Sequence, residues 1–95
     1  SMENDTMATV RIPTPLRPHA GGQDKVETAG ATVGEILANL GTAFPTLRER
    51  LFDGAELRRF VNVYRNNEDI RYLDDLATPV AENDEVSIIP AVAGG

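Results

Sequence analysis

One amphipathic segment, residues 32–41, most constrains the fold, because strand-like segments flank it on both sides. Thr32 and Glu35 have the spacing of a capping box, in which the threonine accepts from the amide three residues on and the glutamate reaches back to the N-cap amide. Apolar residues then recur with the spacing of one helix face: Val33, Ile36, Leu37 and Leu40. Gly41, followed by Pro45, predicts the end of this helix. We therefore expect one main helix whose apolar face covers a sheet.

The segments before this helix predict a hairpin. Residues 8–12 and residues 25–28 alternate apolar or small side chains with polar ones, which is typical of half-buried strands. Residues 13–23 between them contain three prolines and a Gly-Gly pair, so we expect a long loop there.

The segments after the helix predict a short helix, a second hairpin and a final strand. Residues 46–52 repeat a short amphipathic pattern of one or two helical turns. Residues 60–64 and 69–72 are expected to pair through an Asn-Asn turn, and residues 86–90 form the last strand. Arg65 stands where a strand would place an apolar side chain, which favours an end of the strand before it.

The order of these elements predicts an α+β fold with a mixed sheet packed on one main helix, plus a short helix. The N-terminal hairpin and the final strand can lie side by side in parallel only through a long crossover, which the main helix supplies. This describes a β-grasp, or ubiquitin-like, domain over residues 7–90. The polar residues 1–6 are expected to be a disordered expression remnant, and residues 91–95 a flexible C-terminal tail.

Composition excludes several classes of function. The chain has 95 residues, a net charge of -6, one histidine and no cysteine, so thiolate zinc sites, Fe-S clusters and cysteine nucleophiles are excluded. An acidic surface disfavours the binding of nucleic acid and anionic lipid.

The chain is too small for a deep enclosed pocket, so we expect no enzyme activity of its own. The absence of a long apolar stretch predicts a cytoplasmic protein that does not enter a membrane.

Other residues give only weak indications of a binding site for a metal ion or a phosphate group. His19 lies in the proline-rich segment without a second histidine, so we expect it to brace the loop, and we predict no metal site. Gly21 and Gly22 lack the following helix and lysine of a phosphate-binding loop. The acidic residues 74–75 and 82–85 lack the ligand spacing of a calcium loop and are expected in solvated turns.

The five-residue tail that follows the last strand ends in two glycines, and this tail carries the chemistry. Glycine has no Cβ and can pass through a narrow channel, and five extended residues reach roughly 17 Å. The carboxylate of Gly95 is unreactive to nucleophiles at pH 7 unless it is activated as a mixed anhydride, which requires ATP and a partner enzyme. We therefore predict Gly95 as the acyl site. The residues expected to thread the partner's active site are Ala91, Val92, Ala93 and Gly94.

Strand alternation also predicts a docking surface beside the tail. Val61, Val63, Val86 and Ile88 are expected to face the helix. Phe60, Tyr64 and Ile89 would then face outward and, if the two strands are neighbours, form an apolar patch for a partner enzyme. The alternative is that each is merely half-buried, and a register slip of one residue would reverse the assignment.

Two groups of residues carry a resemblance to a known family. Residues 83–90 and the ending 91–95 resemble the ubiquitin-like sulfur carriers of the ThiS/MoaD type. Residues 12–23 and 59–69 are similar to the CysO-type carriers of bacterial cysteine synthesis. The resemblance extends over residues 7–95.

The resemblance implies a thiocarboxylate mechanism. An E1-like enzyme would adenylate the Gly95 carboxylate with ATP, sulfide would replace AMP, and the Gly95 thiocarboxylate would deliver sulfur to an acceptor enzyme. In the cysteine-forming branch the acceptor is a PLP-dependent cysteine synthase, and a metalloprotease releases the product; other acceptors belong to secondary metabolism. The carrier itself would bind no cofactor. A ubiquitin-like modifier joined to lysines through Gly95 shares these motifs, and a plain interaction module with an incidental Gly-Gly end is a third possibility.

Overall fold

The computed structural model describes residues 6–91, which form a mixed sheet covered on one face by helices. In chain order the strands are β1 (Met7–Arg11), β2 (Lys25–Ala29), β3 (Phe52–Asp53), β4 (Glu56–Leu57), β5 (Val61–Arg65), β6 (Glu68–Asp69) and β7 (Glu85–Pro90). The α-helices are α1 (Val33–Ala43) and α2 (Pro45–Leu51), and short 3₁₀ helices span Thr14–Ala20, Ile70–Tyr72 and Asp75–Ala77.

The sheet has the strand order β2-β1-β7-β5-β6, and β3 and β4 form a separate two-stranded ribbon. β1 and β7 are parallel, with Thr9 opposite Glu85 and Arg11 opposite Ser87, whereas the other neighbours are antiparallel. A parallel pair requires a crossover, and the chain between β1 and β7 contains α1. The predicted β-grasp architecture is therefore confirmed.

Helix α1 begins as its sequence predicts and buries its apolar stripe. The Thr32 hydroxyl accepts from the Glu35 backbone N–H at 3.2 Å, and the Glu35 carboxylate accepts from the N–H of Ala31 at 2.8 Å, one residue before the expected partner. The whole stripe is buried against the sheet: Val33, Ile36, Leu37 and Leu40. Burying four such side chains contributes roughly 6–12 kcal/mol of transfer free energy, which makes this stripe a main determinant of the fold.

The predicted end of α1 at Gly41 is wrong, because the helix continues to Ala43. Gly41 is buried where α1 meets α2, and a Cβ at this position would lie 3.0 Å from the Cβ of Arg48. The glycine therefore permits a close approach between two helices. The helix ends instead at Phe44, immediately before Pro45 begins α2.

The segment predicted as an open loop between β1 and β2 contains the 3₁₀ helix Thr14–Ala20. Proline is tolerated in a first helical turn, and Gly21 ends the helix in a left-handed conformation with φ 64°. The Arg17 Nε donates to the carbonyl of Ile12 at 2.9 Å. The His19 Nδ1 lies 3.2 Å from the Thr46 hydroxyl oxygen, which braces this segment against α2.

The prediction that the strand ends before Arg65 is also wrong, because β5 includes it. The guanidinium group is accommodated at the end of β5 by one hydrogen bond and one ion pair. It donates to the Pro79 carbonyl at 3.0 Å and lies 3.6 Å from the Glu68 carboxylate.

The predicted second hairpin is present but short: β6 pairs antiparallel with β5, with Asp69 opposite Tyr64, and of residues 69–72 only Asp69 belongs to a strand. The chain then turns into the 3₁₀ helix Ile70–Tyr72. The Asp69 carboxylate caps this helix by accepting from the backbone N–H of Arg71 at 2.9 Å. The ribbon of β3 and β4 was not predicted, because strands of two residues are too short to show a periodicity.

Candidate functional site

The C-terminal tail leaves the domain from the middle of the sheet. β7 lies between β1 and β5, and its inward residues Val86 and Ile88 are buried in the core. Beyond Pro90, the backbone N–H of Ala91 still donates to the carbonyl of Phe60 at 2.7 Å. The base of the tail is therefore held by backbone pairing on a central strand.

The residues of the tail beyond this point lie outside the described part of the chain. Ala91 itself is exposed. The expectations that Val92, Ala93 and Gly94 thread a partner's active site, and that Gly95 is the acyl site, stay predictions. The structure does establish where such a segment begins, which is at the edge formed by the ends of β7 and the start of β5.

The predicted inward and outward faces of these two strands are confirmed by their burial. Val61, Val63, Val86 and Ile88 face the core and are at most 7% exposed. The predicted outward residues within the strands are more exposed: Ile89 of β7 is 44% exposed and Tyr64 of β5 is partly exposed. Phe60, predicted as the first residue of this strand, lies in the turn before β5 and is 55% exposed.

The register brings the three outward side chains together. Ile89 is directly opposite Asn62, and Tyr64 is opposite Ser87. Phe60 and Tyr64 therefore occupy the two diagonal positions relative to Ile89, a spacing of roughly 7–8 Å between Cα atoms that lets long side chains interact. We name Phe60, Tyr64 and Ile89 the outer-face patch; its role in docking stays a prediction.

A group of arginines beside the outer-face patch was not recognised as a site from the sequence. Two shallow clefts adjoin Phe60, and both are lined by Arg58; Arg50 also lines one, and Arg59 the other. The β3–β4 ribbon produces this arrangement, because it returns the chain from the end of α2 so that the Arg58 Nε donates to the Glu49 carbonyl at 3.0 Å. The sequence does contain one indication of this group, which is a local concentration of basic residues. Four of the nine basic residues fall within residues 48–59.

A larger groove of about 690 Å³ adjoins these clefts, with lining residues from the ribbon and the 3₁₀ helices, and shares Arg58 and Arg59 with one of them. Asp69 and Arg71 line it, and their charged groups are 2.6 Å apart. Hydrogen bonds from the Arg71 side chain lower the pKa of Asp69, and the same contact raises the pKa of Arg71. Because Asp69 is buried and Arg71 satisfies it, this pair supports the local fold rather than an acid–base reaction.

Two further observations concern metal binding and membrane insertion. Within residues 6–91, no group of three His, Asp or Glu side chains is placed to hold a metal ion. Neither α1 nor α2, the α-helices of the described range, is long and apolar enough to cross a membrane.

Comparison with known proteins gives one family and close relatives. The ThiS family model matches residues 10–95. The sulfur carrier protein CysO of Mycobacterium tuberculosis is 49% identical over 90 residues, which cover 92% of this chain and 97% of that protein. The small archaeal modifier protein 3 of Haloferax volcanii is 40% identical over 65 residues, which cover 68% of this chain and 71% of that protein.

Solved structures agree with these matches. The crystal structure of the Amycolatopsis orientalis BexX/CysO complex contains a chain that superimposes with a TM-score of 0.86 at 45% identity, covering 93% of this chain and 99% of that one. The crystal structure of Mycobacterium tuberculosis CysO superimposes with a TM-score of 0.82 at 46% identity, covering 90% and 99%.

Proposed function

Because the chain belongs to the ThiS family of ubiquitin-like sulfur carriers and modifiers, we propose that it carries sulfur as a thiocarboxylate on Gly95. The observation that carries this proposal is that the base of the tail is held at the end of the central strand β7. The last described backbone pairing holds Ala91 against Phe60, and four residues separate Ala91 from the terminal carboxylate. Four extended residues span roughly 13–14 Å, which is enough to enter another protein's active site while the folded domain stays outside.

The chemistry needs two successive substitutions, the first at the α-phosphorus of ATP and the second at the carbonyl carbon of Gly95. A carboxylate oxygen of Gly95 attacks the α-phosphorus of ATP, so that an acyl-adenylate forms and pyrophosphate leaves. Sulfide then attacks the carbonyl carbon, the C–S bond forms, and AMP leaves with the electron pair of the C–O bond. The domain contributes no side chain to either step. Its contribution is to hold the tail and to present the outer-face patch to the activating enzyme.

The relatives also support the kind of partner. The solved complex pairs a CysO with a second protein, BexX. For this chain we propose two successive protein partners: an E1-like enzyme that uses ATP, and an acceptor enzyme that takes the sulfur. A PLP-dependent cysteine synthase is the proposed acceptor, with a metalloprotease releasing the product, because the relative of 49% identity is a CysO. The alternative acceptor of the sulfur is an enzyme of secondary metabolism.

A second candidate function is protein modification. The similarity to a small archaeal modifier protein favours it, since a modifier uses the same activated glycine but forms an isopeptide bond with a lysine amine. The two functions diverge only after the acyl-adenylate, when either sulfide or an amine attacks the carbonyl carbon.

The deciding experiment is the intact mass of the protein after incubation with ATP, an E1-like enzyme from the same cell and a sulfide donor. The proposal expects a mass gain equal to sulfur replacing one oxygen, located on Gly95 by fragmentation. Linkage of the chain to lysines of other proteins instead supports the modifier function. The absence of adenylation with such an enzyme contradicts both.

A further inference from the structure

The basic residues of this acidic chain are distributed unevenly. Residues 48–59 contain four arginines against three carboxylates, a net charge of +1, whereas the whole chain carries -6. The opposite end of β7 begins at an acidic turn that holds Glu82, Asp84 and Glu85. Since β7 runs from that turn toward the tail, the tail end of the sheet is the less negative end of the molecule.

Within residues 6–91 five arginines have no carboxylate within 4.0 Å, and four of these five fall within residues 48–59. Arg11, Arg65 and Arg71 each lie within 4.0 Å of a carboxylate. Across residues 6–91, the structure gives Arg50 and Arg59 no such partner, although three acidic residues lie in the same stretch of chain.

The neighbours of these arginines explain how they are held. Arg48 lies over the Phe52 ring, with 5.7 Å from its Cζ to the ring centroid. Arg58 is partly buried and its Nε donates to the Glu49 carbonyl. Arg50 and Arg59 are exposed on either side of Arg58 and Phe60, so their charges are available to another molecule.

This surface lies at the point where the tail begins, because the Phe60 carbonyl accepts from the N–H of Ala91. An enzyme that holds the tail must therefore approach the arginines around Phe60. Unpaired guanidinium groups at such a position fit carboxylates, which they bind in bidentate geometry, better than they fit an apolar or basic surface.

We propose that Arg50, Arg58 and Arg59 form a basic contact surface around Phe60, which binds acidic side chains at the mouth of the channel where the activating enzyme receives the tail. This inference rests on the proposed function and adds the chemistry of the partner's surface. The uneven charge also orients the carrier during encounter: an acidic channel mouth attracts the tail end and repels the acidic turn. Such steering raises the association rate and is weakened by salt.

The test compares two charge reversals with a matched control. Arg50→Glu and Arg59→Glu each change the net charge by two units at exposed positions near the tail. Lys25→Glu makes the same change at an exposed position on the edge strand β2, which β1 separates from β7. The Kd for the ATP-dependent activating enzyme is measured by titration calorimetry, and KM and kcat for adenylation are measured beside it, each at low and at high salt.

The expected result is a Kd and KM raised by about tenfold for each arginine variant at low salt, with kcat unchanged. Lys25→Glu should change either constant by less than about twofold, and the differences should shrink at high salt. Unchanged constants for both arginine variants overturn the inference. So does an equal loss for Lys25→Glu, because net charge alone would then explain it.

Different experimental results would contradict the proposed function and this inference. A wild-type chain that binds the enzyme but is never adenylated contradicts the proposed function only, because the Kd of Arg59→Glu still reports on the surface. A wild-type chain that does not bind the enzyme contradicts both.

Discussion

The backbone N–H of Ala91 donates to the carbonyl of Phe60 at 2.7 Å, so the pairing of β5 with β7 extends one residue beyond the strand. This bond joins the base of the tail to the backbone of a residue whose aromatic side chain is 55% exposed.

Adding one alanine after Gly95 should abolish adenylation while leaving the unfolding transition unchanged. The reason is that the reactive carboxylate would move by one residue, roughly 3.3–3.6 Å, from the position that the enzyme's channel defines. Pyrophosphate release measures the reaction. The matched control adds one alanine before Ser1, which should be adenylated at the wild-type rate; a normal rate for the C-terminal extension would contradict the assignment of Gly95.

Phe60→Ser should raise the KM of the activating enzyme by at least about tenfold, because a central aromatic contact is often an interface hot spot. Its effect on the free energy of unfolding should stay within about 0.5–1 kcal/mol, since the ring is 55% exposed. Tyr72→Ser is the control, an aromatic side chain 85% exposed on a 3₁₀ helix outside the outer-face patch. Equal KM values for the two variants would remove the outer-face patch from the docking surface.

Thr32→Ala should destabilise the domain by about 1 kcal/mol, because the N–H of Glu35 loses the hydroxyl that accepts it. Urea unfolding measures the change. Thr42→Ala serves as the control: its hydroxyl bonds only to the Ala38 carbonyl inside α1, and its removal should cost nothing because alanine favours a helix interior. A loss for Thr42→Ala as large as that for Thr32→Ala would mean that the cap is not the cause.

Asp69→Asn should change how stability depends on pH. The pKa of Asp69 is lowered from its ordinary value of 3.8 by Arg71, so its ionised form stabilises the fold above that value and the contribution is lost as the pH falls through the folded-state pKa. The difference in free energy of unfolding between wild type and variant should therefore be constant above about pH 5 and narrow below about pH 4. Urea titrations from about pH 2 to pH 6 measure it, and a pH-independent difference would refute this role.

Much of the candidate site followed from short-range patterns. The alternation of residues 60–64 and 86–90 was enough to assign Phe60, Tyr64 and Ile89 to one face, because side-chain direction has a period of two along any strand. What alternation could not provide was the distance between them. The register that sets Ile89 opposite Asn62 depends on contacts between residues that are 21 to 29 positions apart in the chain.

The errors have a common physical origin. Gly41 was interpreted as a helix stop because glycine often ends helices, but here it permits α1 to approach Arg48. Arg65 was expected to end a strand, and the carbonyl of Pro79, fourteen residues away, accommodates it. In both cases a distant partner determined the role of the residue.

By itself the sequence determined the main helix, the faces of the strands, the β-grasp architecture and the glycine ending, because caps, periodicity and chain order act through local geometry. Only the tertiary structure decided that the ribbon brings Arg50, Arg58 and Arg59 around Phe60, and that Phe60 holds the base of the tail. These relationships join parts of the chain that become neighbours only when the core is packed. The physical reason is that packing, rather than local propensity, sets the distances between elements.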